Sequence, residues 1–166
     1  PPGDVCVVRL FAHRACVENF NTAQAERVAD TEKRTFPSQD REVRWARAVP
    51  VADDNKKAVQ ALDKGTVLLR KLTVWKGMQV MFRGSNPDRA RGLVNCAVGI
   101  VTDFSPKDAP RDSVSVLLRQ PLRREDPMRI TPWECPPING PSSIRLTRRQ
   151  IPLVPGDVWT QHMGIG

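Results

Sequence analysis

From residue 66 onward the chain is cut into short apolar runs that look like strands. The runs are 66–75, 78–83, 96–103, 113–119, 128–133 and 144–153. Turn formers separate several of them: Lys76-Gly77, Gly84-Ser85-Asn86-Pro87, Ser105-Pro106, and the stretch from Pro136 to Pro141. Glycine and proline at those positions end a strand, because one permits positive φ and the other removes a backbone donor. Several short strands at this spacing predict a small β-barrel over 65–153.

The first 64 residues read differently. Val5-Cys6-Val7-Val8-Arg9-Leu10-Phe11 is a nearly continuous apolar run, as expected for a buried strand. Residues 14 to 29 carry helical spacing, with Val17, Phe20, Gln24 and Val28 on one face. Strand followed by amphipathic helix is an α/β beginning. Residues 30 to 42 are polar without a period and read as loop. Val43, Trp45, Val49 and Val51 alternate around Arg47, which predicts a strand with one exposed face. Asp53 or Asp54 can cap a short helix bearing Val59 and Leu62.

Charge narrows the partners. Lys and Arg outnumber Asp and Glu by 26 to 18, a net charge of +8. Such an excess favours a polyanion, since each cation placed on a phosphate releases a condensed counterion. No run of about 18 apolar residues exists, so no membrane span is expected. Cys6, His13 and Cys16 lie close together, but their spacing fits no zinc finger, so the cysteines read as buried reduced thiols and no metal is expected. Trp45, Trp75, Trp133 and Trp159 are scattered and read as core residues, not a base-stacking platform. Asp53-Asp54 and Glu125-Asp126 sit in polar stretches and read as solvated turns or caps. The 166 residues contain no Gly-x-x-x-x-Gly-Lys-Ser/Thr loop, no Gly-x-Ser-x-Gly elbow, and no Cys with a plausible His and orienting acid.

One segment carries a specific resemblance. It reads Lys76-Gly77-Met78-Gln79-Val80-Met81, then Arg91-Gly92-Leu93-Val94-Asn95, then Val98-Gly99-Ile100-Val101, with Phe104 three residues on. This resembles the signature of the Pif-type (petite integration frequency) DNA helicases. There a Gly-x-Gln-Val-Met strand leads through Arg-Gly-Leu-Val-Asn-Gly to Gly-x-Val-x-x-Phe. Gly92 and Gly99 would allow tight backbone at barrel corners, and Asn95 could bond a turn. Arg9-Leu10-Phe11-Ala12-His13-Arg14, with Val17 and Asn21, resembles the strand and helix that open the family's second motor domain. Thr147-Arg148-Arg149-Gln150-Ile151-Pro152-Leu153 resembles the strand that returns from the inserted barrel. Thr160, His162 and Gly166 align with a Thr-x-His-Lys-Ser-Gln-Gly motif that in the family contacts DNA and couples it to ATP. Here Met163-Gly164-Ile165 replaces Lys-Ser-Gln, and Gly156-Asp157-Val158 replaces Ala-Trp-Ala. Pro155 removes a donor in what the resemblance makes a buried strand.

The resemblance implies α/β plus all-β architecture: a truncated RecA-like strand-helix segment (1–64), a small Src-homology-type β-barrel (65–153) and a degenerate motif tail (154–166). It implies that the opening strand, 5–11, leaves one or both edges unpaired and orders against another chain. Pro1-Pro2-Gly3-Asp4 reads as the start of a processed or excerpted segment, without the first motor domain. The expected function is a non-catalytic, nucleic-acid-associated structural subunit of a larger nucleoprotein assembly, with no cofactor. RNA or DNA and other protein subunits are its partners. Its location is mitochondrial, with the nucleus as alternative. Two other readings stand beside it: a fragment of an active ATP-dependent 5′-to-3′ DNA helicase, and a protein-only adaptor. The nucleic-acid-binding candidates are Arg89, Arg91, Arg145, Arg148, Arg149, Thr160 and His162.

Overall fold

The computed structural model describes residues 9–11, 14–44, 47–52, 54–84, 93–120, 124–156 and 158–160. Strand β1 (Arg9–Phe11) leads into helix α1 (Arg14–Glu26), which ends three residues before the expected limit. None of the described α1 side chains is buried, which fits a stripe broken at Gln24. Beyond α1, the expected loop over 30–42 is corrected. It holds one 3-10 turn and two strands, β2 (Lys33–Pro37) and β3 (Gln39–Arg44). Apolar alternation could not reveal them. Phe36 is the only buried residue of β2, and the inward position of β3 is a carboxylate, Asp40. β3 turns back into β4 (Arg47–Pro50), all four residues of which are exposed.

Helix α2 (Lys56–Gly65) starts at Asn55, not at Asp53 or Asp54. The Asn55 side chain accepts the Ala58 N–H, satisfying an otherwise orphaned donor. Its apolar face places Ala58 and Leu62 on Leu146.

The rest is strand: β5 (Lys71–Trp75), β6 (Gln79–Phe82), β7 (Val98–Phe104), β8 (Val114–Gln120), β9 (Met128–Ile130), β10 (Trp133–Glu134), β11 (Ile138–Asn139), β12 (Arg145–Gln150), β13 (Leu153–Pro155) and β14 (Val158–Thr160). Two expected single strands are each broken in two. The breaks fall at Thr131-Pro132, between β9 and β10, and at Ile151-Pro152, between β12 and β13. Proline cannot continue a ladder, and at both places the chain passes from one sheet to another.

The expected Src-homology barrel is also corrected, since among the described residues no closed barrel forms. One sheet runs β13-β6-β7-β8-β9, and each end strand pairs on one side only. Both end strands are three residues long, and β13 ends at Pro155, so neither offers a ladder long enough to close. The ribbon β2-β5 covers this sheet instead. Phe36, Leu72 and Val74 from the ribbon join Val80, Val101, Val116, Leu118 and Leu153 in the main core. A second sheet runs β10-β12-β3-β4, with β11 also on β12. Strand pairing therefore crosses the expected boundary at 64/65: β2 pairs with β5, and β3 pairs with β12. Pro155 is tolerated because β13 is an edge strand.

β1 and β14 pair in parallel, with Arg9 opposite Val158 and Phe11 opposite Thr160. Among the described residues the other edge of β1 has no partner strand.

Candidate nucleic-acid interface

β12 carries three of the candidate arginines, and its pleat separates them. Successive strand side chains point to opposite faces. Arg145 and Arg149 are exposed on one face, while Arg148 lies on the other with only 1% of its surface accessible. Its Nε and Nη2 donate to the two oxygens of Asp40 at 2.8 and 2.7 Å. Nη1 donates to Asp63 at 2.7 Å and to the Leu68 carbonyl at 3.2 Å. Burial opposes the guanidinium charge, but hydrogen bonds to Asp40 and then Asp63 outweigh it and raise the Arg148 pKa above the usual arginine value. Arg148 thus fastens β3 and α2 to β12. The structure corrects its assignment to the contact surface, since a buried guanidinium already committed to two carboxylates cannot reach a phosphate.

The outward face of β12 gains a cation that sequence reasoning missed. Directly opposed residues of an antiparallel pair share a face. Arg41 stands opposite Thr147, between Arg145 and Arg149, and its Nη2 donates to Gln39 at 3.4 Å. Glu134, opposite Arg149, is the carboxylate paired to this face, and it accepts the Thr147 hydroxyl at 2.8 Å. Arg145 and Arg149 lie four residues apart, about 13 Å along the strand. Arg41 was invisible in the sequence because register was unreadable from the polar run 39–44.

This face runs into a cleft of about 860 Å³ lined by Gln39 and Arg149. Arg34 on β2 and Lys107 and Arg111 between β7 and β8 complete its basic lining, and Asp112 is its carboxylate.

The other candidates lie elsewhere. Thr160 is the last residue of β14 and sits opposite Phe11. Arg89, Arg91 and His162 lie outside the described residues, as do Gly92, Cys6, His13 and Trp45. The remaining cysteines correct the expectation of buried thiols in part. Cys135 is buried, Cys96 is half-buried and Cys16 is exposed on α1. Among the described residues no group of three His, Cys, Asp or Glu could hold a metal ion. No described helix is long and apolar enough to cross a membrane.

No protein-family model matches the chain, and no curated protein matches it. Solved structures do match. The Pif1 helicase from Candida albicans superposes with a TM-score of 0.69 at 19% identity, over 99% of this chain and 38% of that one. A Bacteroides Pif1 helicase in complex with ADP-AlF3 and ssDNA gives 0.63 at 16% identity, over 99% and 32%. Unliganded Pif1 from Bacteroides sp gives 0.62 at 16%, over 96% and 32%. The fold is that of Pif1 helicases. The chain spans about a third of the length of these Pif1 structures.

Within the Pif1 fold, the residues that carried the sequence resemblance have concrete structural work. All four residues of β6 are buried, so both of its faces are covered. Gln79 reaches across to the tail: its side-chain amide donates to the Gly156 carbonyl at 2.9 Å, and the Gly156 N–H returns to the Gln79 carbonyl at 2.9 Å. A Cβ at Gly156 would lie 2.8 Å from the Val80 carbonyl carbon, which explains glycine there in place of alanine. A Cβ at Gly99 would meet Leu117 O at 2.7 Å, beside a register shift between β7 and β8. Cys96, in the position of the motif's second glycine, has φ +67°, the left-handed conformation that glycine tolerates best. Asn95 is exposed at this turn, which the Ala97 N–H closes onto the Val94 carbonyl at 2.9 Å.

Proposed function

We propose that this chain is a non-catalytic, Pif1-like module that binds single-stranded nucleic acid without sequence preference. The carrying observation is the outward face of β12 and β3, where Arg145, Arg41 and Arg149 line up around one carboxylate. Exposed guanidiniums in a row contact phosphates, and phosphate contacts position a strand without reading bases. Solved structures of the same fold include Bacteroides Pif1 bound to ssDNA, which supports a nucleic-acid partner. The non-catalytic part of the reading rests on Met163-Gly164-Ile165, which stands where the family motif places Lys-Ser-Gln. The proposal extends to a larger nucleoprotein assembly, RNA or DNA, in mitochondrion or nucleus, because relatives of this family work in both compartments.

A second reading has its own support. The chain covers only about a third of the matched helicases, as a segment of a working ATP-dependent helicase would. One measurement tests the interface and another tests the second reading. Anisotropy of a fluorescein-labelled oligothymidylate, titrated with the full chain across a salt series, should give a log–log slope of roughly −3 to −4 for four to six phosphate contacts. Arg41→Ala with Arg145→Ala should flatten it by about 1.4. Absence of binding, or an unchanged slope, removes the proposed interface. ATP turnover stimulated by single-stranded DNA, once a P-loop-bearing motor domain is joined to this chain, would favour the second reading.

A further inference from the structure

The 860 Å³ cleft beside Arg149 is built for more than an extension of a charged face. Among the described residues four cations line it, Arg34, Lys107, Arg111 and Arg149, against the carboxylate of Asp112. Its volume lies within the range of about 300–1,000 Å³ typical of ligand sites. Arg34 is the decisive residue. Its side chain is 14% exposed, and its guanidinium carbon lies 4.9 Å from the centre of the Phe36 ring, a cation–π contact that restrains it. Its Nε is buried with no hydrogen-bond partner. Its Nη2 lies 3.5 Å from Asp112, longer than the roughly 2.7–2.9 Å of a charge-assisted bond. The guanidinium edge free to face the cleft is therefore Nη1 and Nη2, only loosely engaged by Asp112, and such an oriented pair of donors suits a tetrahedral, doubly accepting anion such as a phosphodiester. Lys107 and Arg111 are exposed on the loop between β7 and β8 and supply charge from the facing wall. The softer lining is proline, with Pro37, Pro110 and Pro132, and among the described residues it includes no aromatic ring. Bases therefore find no stacking platform there.

We propose that this cleft clamps the sugar-phosphate backbone of a single strand, about two or three adjacent phosphates, continuing the path from Arg145 and Arg41 through Arg149. The proposal rests on the nucleic-acid reading above and names where the strand leaves the open face. Arg34 fixes one phosphate, and Lys107 and Arg111 neutralise its neighbours.

The test uses the full chain, the labelled oligothymidylate and a salt series. Lys107→Ala with Arg111→Ala alters exposed loop residues, and its melting temperature reports that the fold is intact. It should flatten the salt slope by about 1.4, as two lost single-strand contacts require. Lys56→Ala with Lys57→Ala removes the same charge from exposed positions on α2 outside the cleft, and should leave the slope unchanged. Arg34→Lys keeps the charge but loses the fork, so affinity should fall with little change in slope. Inorganic phosphate at matched ionic strength should displace the oligonucleotide no better than chloride. An unchanged slope in Lys107→Ala/Arg111→Ala, with Arg41→Ala/Arg145→Ala still flattened, overturns the cleft and leaves the open face standing. An equal loss in the α2 variant reduces the effect to net charge and also overturns the cleft. Strong displacement by inorganic phosphate assigns the cleft to small anions instead. If the wild-type chain binds no oligonucleotide, the nucleic-acid reading itself is gone, and the clamp with it.

Discussion

Arg148→Met should unfold this protein more readily than a change to any other described arginine, with no effect on nucleic-acid contacts. The side chain is 1% exposed and its bidentate partner Asp40 is 12% exposed. Methionine fills much of the stem volume but removes the charge, which leaves Asp40 buried. What remains to that carboxylate is the Ser38 hydroxyl on Oδ1 at 2.8 Å. Breaking a buried pair by deleting one member costs about 3–5 kcal/mol, because the surviving charge loses its compensation. Asp63 adds little, since its side chain is 46% exposed and solvent screens the pair to about 0–1 kcal/mol. For a chain of this size, about 2–4 °C per kcal/mol puts the melting temperature roughly 6–20 °C lower. Thermal unfolding followed by circular dichroism measures it. Asp40→Leu added to Arg148→Met should restore most of the loss, because a buried ion pair replaced by apolar groups is often neutral or better. A single variant that melts within about 2 °C of wild type would refute the argument. So would a folded Arg148→Met protein that has lost oligonucleotide affinity.

Three more outcomes follow from the geometry. Cys96→Gly should be more stable than Cys96→Ala by about 0.5–1 kcal/mol, because the backbone at φ +67° strains any residue with a Cβ; equal melting temperatures would remove that strain from the account. Gly156→Ala should cost about 1–3 kcal/mol, since the new methyl meets the Val80 backbone at 2.8 Å and displaces the Gln79 clamp; an unchanged chemical denaturation midpoint would show that the tail relaxes freely. The hydrogen bond from Lys76, then that from the Phe104 backbone, then the Lys76 charge hold the exposed Asp103 carboxyl below its ordinary range. A depressed folded-state pKa stabilises above the unfolded value, and that stabilisation is lost as pH falls through the folded one. Lys76→Ala should move the Asp103 carboxyl resonance titration upward, and a fixed titration would disprove the pairing.

Legibility followed the apolar pattern. β5, β6, β7 and β8 were readable because Leu72, Val74, Val80, Val101, Val116 and Leu118 repeat at strand spacing and fill one core. β3 was not, because its inward residue is Asp40 and its partner is Arg148, so the core-facing position looks like surface in the sequence. The same inversion placed Arg148 among the contact residues: three basic residues within five positions read as one patch until the pleat divides them. Arg145 and Arg149 were legible as exposed cations. Arg41, Arg34, Lys107 and Arg111 were not, since only strand register and the fold of the 105–113 loop bring them beside Arg149. Closure into a barrel was overread because strand count and spacing say nothing about whether two end strands meet.

The parallel pairing of β1 with β14 has a kinetic consequence. Its three residue pairs can form only after the chain closes a loop of roughly 150 residues, an entropy cost of about 4 kcal/mol beyond any constant term. Three rungs of ladder cannot repay that from an unordered chain, but they can once β2 through β13 have folded and drawn the two ends together. The pair is therefore a late event in folding and an early casualty of destabilisation. Any substitution that loosens the central sheets is felt there first, however far it lies in sequence. The register of Phe11 on Thr160 then reports on the assembly of everything between them.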